Sequence, residues 1–355
     1  MLAMTESAAT LIPATLIDVL RALADPTRLR IMRLLTRMEL AVGELAQVLD
    51  QSQPRVSRHI RILAEAGLAE RRREGSWVFV RGVAGTGGTP LAGPPLAGAV
   101  AALIDRGEAG DPAFAAQAEA DRLRLGQIRH TREARAANYF ARHAGQWDVL
   151  RTLHSADSTV EAALARLLGT ASRTGANLGR VLDIGTGTGR MAELFEPTAD
   201  AVVALDNSPE MLRLARARLQ HLAPGRVELV QGDFAALPFA DAAFDTVLFH
   251  QVLHYAQSPE AVLAEAARVT RSGGRVAIVD FAPHDREELR SAQAHVRLGF
   301  ADGQIRALLT SAGFAPEASE PLAGGELTVM IWTGRRVAAS VRQLSKPLAR
   351  RKESA

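Results

Sequence analysis

Residues 181–189 read VLDIGTGTG, an apolar run that ends on an acid and then places glycine at every second position. A strand that stops at Asp183 and turns through Gly185, Gly187 and Gly189 needs dihedrals that side chains resist. It also leads into a helix near Arg190, so bare backbone and helix N-terminal N–H groups face whatever lies against the turn. Alone, a G-x-G-x-G run is weak evidence, because NAD enzymes and plain turns share it. Here its surroundings restrict the reading. From Arg180 onward the β-rich runs RVLDIG, AVVALDNS, VELVQGD, FDTVLFH, RVAIVDF and LTVMIWT alternate with helical runs. That alternation argues for a mainly parallel sheet covered by helices.

The polar residues gather at the ends of those runs. AVVALD ends on Asp206, about twenty residues past the glycines, where a carboxylate can accept from both hydroxyls of a ribose. The third run ends in Gln231-Gly232-Asp233-Phe234, an acid for an exocyclic adenine amine and an aromatic ring for the base. FDTVLFHQVLHY (244–255) would line the same crevice with its carboxyl end. Singly, Asp183 reads as a strand-end hydrogen bonder, Asp206 as a loop acid and Phe234 as a core aromatic; together they point to an adenosyl compound.

This set resembles the class I S-adenosylmethionine-dependent methyltransferases over roughly residues 180–335. The resemblance implies that Asp183, Gly185, Gly187 and Gly189 hold the methionine portion, and Asp206 and Asn207 the ribose. Asp233 and Phe234 would meet adenine, His250 would line the pocket, and the cofactor would be S-adenosyl-L-methionine or S-adenosyl-L-homocysteine. Methyl transfer from a sulfonium needs chiefly in-line positioning, with a general base when the acceptor is a hydroxyl or amine. The catalytic candidates are His254 and Tyr255 after the fourth strand, Asp280 and His284 after the fifth, and His295 in AHVRLGF, with His254, Asp280 and His284 put first. DFAPHD…AHVRLGF resembles the ubiquinone/menaquinone-type small-molecule methyltransferases. No metal site is expected, since His284 and His295 lack a third ligand at convincing spacing.

The first eighty residues follow another pattern. Asp25-Pro26 reads as an N-cap with proline just inside a helix, and ELAQVLD as a short second helix. Ser52 is expected to cap a third, whose buried stripe is Val56, Ile60, Leu63 and Ala64 and which Gly67 ends. Gln53, Arg55, Ser57, Arg58, His59 and Arg61 remain on its other faces, suited to base edges in a major groove. AERRREGSWVFVRG then reads as a β-hairpin whose Arg71, Arg72 and Arg73 would meet phosphates. A charge run alone is usually a solvated face; here it follows a helix-turn-helix at the right distance. The segments 22–35, 39–49, 52–68 and 71–82 resemble the ArsR/SmtB winged-helix repressors. That resemblance implies a homodimer on a roughly palindromic double-stranded DNA operator. Where family members carry metal-sensing cysteines this chain has Ala41 and Gly43, so soft-metal sensing there is not expected.

The chain of 355 residues has length for two domains, and its lack of cysteine excludes disulfides and thiolate metal sites. No apolar run suits a membrane span and no signal peptide is evident, so a cytoplasmic protein is expected. The expected fold class is an α+β winged helix-turn-helix followed by an α/β Rossmann-like class I methyltransferase fold. Its boundaries are 1–16 disordered, 17–82 winged helix, 83–131 linker and dimerisation or coupling helices, 132–335 methyltransferase-like domain, and 336–355 basic disordered tail. Breaks in the Ala- and Arg-rich helical stretch are expected near Gly126 and Gly145; Tyr139, Phe140, Trp147 and His154 could lid the pocket. The whole resembles S-adenosylhomocysteine-responsive regulators, which favours a transcription regulator with the S-adenosyl ligand as effector. The alternative is an active small-molecule methyltransferase with a fused winged helix.

Overall fold

A computed structural model of the chain describes residues 16–36, 38–74, 77–83, 96–143, 157–170, 176–322 and 326–338. The hairpin tip at 75–76, most of the Gly/Pro-rich linker, Gly145, Trp147, His154 and nearly all of both expected disordered ends lie outside the described residues.

The N-terminal domain contains α1 (Leu16–Leu23), α2 (Pro26–Leu35), β1 (Leu40–Ala41), α3 (Val42–Leu49), α4 (Gln53–Glu65) and the hairpin β2 (Ala69–Glu74) and β3 (Trp77–Gly82). Asp25 opens α2 by accepting the Arg28 N–H at 2.9 Å, with Pro26 in the first turn. Ser52 stands at the N-cap of α4 with extended backbone, but its side chain makes no capping bond. Pro54, at the second helical position, has no N–H to donate to it. Gly67 (φ 67) turns the chain out of α4, and Leu68, 1% exposed, folds back as its N–H reaches the Leu63 carbonyl at 2.9 Å. β3 pairs antiparallel with both β1 and β2. This is a winged helix-turn-helix.

α5 (Leu96–Gly110) and α6 (Pro112–His143) follow. Val100, Ile104 and Leu125 share the core of Ile31, Leu45 and Ile60, so both helices complete the N-terminal domain. The break expected near Gly126 does not occur: α6 passes through it and spans 32 residues, about 48 Å. One glycine costs a helix only about 1 kcal/mol. Against that, Leu125 is buried and the fully buried Asp121 accepts from Arg33 at 2.7 Å and from Arg30 at 2.6 Å on α2. The expected boundary between 131 and 132 therefore falls inside one continuous helix.

The C-terminal domain is built on a seven-stranded sheet in the order β6-β5-β4-β7-β8-β10-β9. These strands are β4 (Arg180–Ile184), β5 (Ala201–Asp206), β6 (Val227–Gln231), β7 (Phe244–His250), β8 (Thr270–Phe281), β9 (Phe314–Leu322) and β10 (Val329–Arg336). The first five in that order are parallel, and β10 runs antiparallel to β8 and β9. The edge strand β9 has no counterpart among the sequence-derived runs. FAPEASEPL carries two prolines and few apolar residues, which only an edge position tolerates. One face of the sheet buries Val160 and Leu164 of α7 (Asp157–Leu167), Met191 of α8 (Arg190–Phe195) and Ala215 of α9 (Pro209–Leu219). The other buries Val262 and Leu263 of α10 (Pro259–Val269) and Ile305 and Leu309 of α12 (Asp302–Ala312), while Leu289 of α11 (Glu288–Ala292) belongs to the core of the first face. The fold is the α/β Rossmann-like one expected, and the carboxyl ends of β4 to β8 open on one crevice.

Candidate functional site

The glycine turn is held from the neighbouring strand. Gly185 and Thr186 donate their N–H groups to the Leu205 carbonyl at 2.8 and 2.9 Å. Gly185 has φ 68, and a Cβ there would collide with Val252 beyond β7. The turn therefore needs glycine for its dihedral and for the close approach of the two loops. Asp183 is 1% exposed and accepts from the Thr186 hydroxyl at 2.6 Å. Asp206 accepts the Gly187 N–H on one oxygen and the Ser208 N–H on the other, both at 2.9 Å. Burial raises its carboxyl above the ordinary aspartate value, against the pull of the backbone donors from Ser208, Gly187 and Asn207. Gly232 donates to the Asp206 carbonyl at 3.0 Å, which draws in the loop after β6. There Asp233 is exposed, accepting from the Ala235 N–H at 2.8 Å, while Phe234 is half-buried against the core. Asn207 is exposed, and His250 is buried at the end of β7. The next residue, Gln251, is buried and left-handed (φ 51), a feature with no signal in the sequence.

The catalytic candidates do not all converge equally. His254 is buried beside Asp280, Nδ1 to Oδ1 2.8 Å, and its own backbone N–H reaches Oδ2 at 3.1 Å. The Phe281 N–H adds a third donor to Asp280 at 2.8 Å. An acceptor so placed fixes the proton of His254 on Nδ1. Nε2 is then the lone-pair nitrogen, buried and without a hydrogen-bond partner among the described residues. Rings enclose it: Tyr255 at 4.0 Å, His295 at 4.2 Å and Phe281 at 5.2 Å between centroids. Phe140, near the end of α6, meets Tyr255 edge-on at 4.9 Å. Burial, with Tyr139 and Asp280 nearby, pushes the Tyr255 phenol well above its ordinary range, so it stays protonated. His284 stands apart. Its Nδ1 accepts from the Arg286 N–H at 3.2 Å, and it meets the cluster through Phe281, 6.1 Å away. Among the described residues no three His, Asp or Glu side chains form a metal-ligand set, and no helix is long and apolar enough to cross a membrane.

In the winged helix, Gln53, Arg55, Arg58 and Arg61 are exposed on α4, and Arg71 and Arg73 on β2. Ser57 is half-buried. His59 leans inward, 3.7 Å from the Asp25 carboxylate, and Arg72 pairs with Glu39 at 3.3 Å.

Residues 182–278 match the family described as "Methyltransferase domain", and residues 25–71 match "Bacterial regulatory protein, arsR family". A phosphatidylethanolamine N-methyltransferase of Cereibacter sphaeroides is 38% identical over 125 residues, 35% of this chain and 61% of that protein. A demethylmenaquinone methyltransferase of Renibacterium salmoninarum is 38% identical over 102 residues, 29% of this chain and 41% of that one. A demethylmenaquinone methyltransferase of Parafrankia sp. is 34% identical over 189 residues, 48% of this chain and 70% of that protein. The chain belongs to the methyltransferase family. Its class I methyltransferase domain is fused behind an ArsR-type winged helix, and S-adenosylmethionine is the cofactor of that domain. The chain thus spans about half the length of the first curated relatives it matches. The cradle suits the group: a glycine turn that excludes a Cβ, a half-buried acid on the next strand, and an aromatic ring beyond the third.

Proposed function

We propose that the methyltransferase domain transfers a methyl group to a small-molecule hydroxyl or amine, with His254 as general base and Asp280 as its positioning residue. The observation that carries this is the buried His254–Asp280 pair, two residues beyond the Val252 that touches the glycine turn. The cofactor, when bound, supplies an electrophilic methyl on a cationic sulfur. Asp183 and the turn would hold its methionine end, Asp206 and Asn207 the ribose, and Asp233 and Phe234 the adenine, with His250 on the wall between. Nε2 of His254 would take the acceptor's proton as the acceptor–methyl bond forms and the sulfur–methyl bond breaks, the sulfur leaving as a neutral thioether, and Asp280 would stabilise the charged ring that results. Tyr255 donates, and the surrounding rings exclude water. Curated relatives that are methyltransferases favour this over a sensor that only binds.

The test is transfer of label from methyl-labelled cofactor into a metabolite extract. Wild type should label a small molecule. His254→Gln should lose about 10²- to 10⁴-fold in rate with its S-adenosylhomocysteine affinity kept. Tight cofactor binding with no transfer by wild type would overturn catalysis and leave the effector reading. An undiminished rate in His254→Gln would remove the base.

A second reading concerns the N-terminal domain, which we infer binds double-stranded DNA as a homodimer. The outward Gln53, Arg55, Arg58 and Arg61 of α4 support the first part. Exposed Leu16, Ile17 and Leu20 on α1, with Leu103 on α5 and Leu123 on α6, are apolar surface that a second copy would cover. A regulator responsive to S-adenosylhomocysteine would shift its affinity for DNA from its own upstream region by several-fold on adding that ligand. Arg58→Ala should weaken the wild-type shift in a mobility assay.

A further inference from the structure

The wing has two faces, and the methyltransferase domain holds one of them. Strand alternation puts Val78 and Val80 against the winged-helix core, and Trp77 and Phe79 on the opposite side with Arg72. That second side is not left to solvent. Arg297 lies 3.9 Å over the Phe79 ring and Arg290 lies 4.4 Å over Trp77. Arg297 is 0% exposed, and its guanidinium meets Glu39 at 2.8 Å; Arg72 meets the same Glu39 oxygen at 3.3 Å. The segment that supplies Arg297 also covers the catalytic cluster. The N–H groups of Val296 and Arg297 both donate to the carbonyl of His254, at 3.2 and 2.9 Å, and His295 lies against the His254 ring. The contact is local. Beside it a cleft of about 660 Å³ separates Arg71 and Arg81 of the wing from Ala261 and Leu308 of α10 and α12.

We propose that residues 295–298 are a clamp shared by the acceptor site and the wing, so that Arg72 is withheld from DNA while the segment is shut over His254. A phosphate that takes Arg72 must part it from Glu39 on the wing face that Arg290 and Arg297 cover, and so must displace them. DNA capture of the wing then loosens Arg297 and the cover it anchors, and closure of the cover weakens the wing's grip. By linkage the two effects are the same free energy seen from either end. The proposal rests on the DNA-binding reading of the winged helix.

The test uses the full chain and a 30-base-pair mixed-sequence duplex, with affinity read by fluorescence anisotropy across salt concentrations. Arg72→Gln should weaken wild-type binding less than about twofold, because most of what the contact with phosphate gains is spent on opening the clamp. In a Glu39→Gln background, where Arg72 is released, the same substitution should weaken binding several-fold and reduce the log–log salt slope by about one. Should Glu39→Gln fail to fold, hydrogen exchange in the wild type carries the test, with S-adenosylhomocysteine binding as the control for intact protein. In the wild type, saturating duplex should speed hydrogen exchange at the Val296 and Arg297 amides several-fold. Equal weakening by Arg72→Gln in both backgrounds, or unaltered exchange, overturns the clamp. The DNA reading itself is tested by Arg58→Ala. If that variant loses affinity while the Arg72 cycle is flat, only the clamp fails; if wild type and Glu39→Gln alike do not bind the duplex, both fail.

Discussion

Asp206, the carboxylate proposed to hold the ribose, already has a part in the fold. Each of its oxygens accepts a backbone N–H, from Gly187 and from Ser208, so it ties the glycine turn to its own loop before any ribose arrives. Asp206→Ala should therefore weaken S-adenosylhomocysteine binding about tenfold or more, given about 1.5–3 kcal/mol for hydrogen bonds to a charged group. Unchanged affinity in a calorimetric titration would contradict the ribose role. Its pH response follows from the raised carboxyl. In the proposed ribose role the ionised form binds, so on acidification affinity should fall before an ordinary aspartate (3.8) would protonate. The stability contribution has the opposite sense: a raised folded-state value favours the protonated native form, and stability declines as pH rises through it. Gly185→Ala meets two obstacles, a left-handed φ and the side chain of Val252. It should destabilise the domain by about 1–3 kcal/mol in urea unfolding and abolish cofactor binding.

α6 is the element whose behaviour departs most from its sequence. Gly126 is exposed in mid-helix, and a Cβ there would meet nothing within 4 Å. Gly126→Ala should therefore raise stability by about 0.5–1 kcal/mol, read as a higher thermal midpoint. A lower midpoint would show that the helix is not continuous there in solution. The same helix is pinned by Asp121, fully buried between Arg30 and Arg33. Asp121→Asn leaves two guanidinium groups short of a counter-charge, one of them 3% exposed. It should cost about 3–5 kcal/mol in denaturant unfolding. α6 thus runs from the winged-helix core at Leu125 to the aromatic cluster at Phe140, a rigid link of the kind a flexible linker could not provide.

For the whole molecule, the Arg297–Glu39 pair is a buried charged tie between the two domains. Burial alone would push the Glu39 carboxyl up; Arg297 and Arg72 outweigh it and hold it below the ordinary glutamate value. A depressed acid stabilises the native state above its unfolded value of 4.5, and that contribution is lost as pH falls through the lower folded value. The stability gap between wild type and Glu39→Gln in thermal unfolding should be full at neutral pH and shrink only below 4.5. A gap independent of pH would mean that the carboxylate charge is not what the contact uses. Much of this architecture was legible in one dimension. Glycine spacing, strand-end acids and the Asp25-Pro26 and Gly67 punctuation are local signals, because dihedral limits, missing N–H groups and side-chain periodicity act within a few residues. They pointed to two domains, their fold classes, an S-adenosyl cofactor and the His254 and Asp280 candidates. Tertiary structure alone decided that His254 and Asp280 pair while His284 stands off, that β9 is a strand, that α6 does not break, and that Arg72 faces Glu39. Each of those depends on what is packed alongside: an edge that tolerates proline, a buried acid that outweighs one glycine, an arginine 258 residues from its partner. Burial and charge pairing across such separations leave no periodic trace in the chain, which is why only the folded molecule displays them.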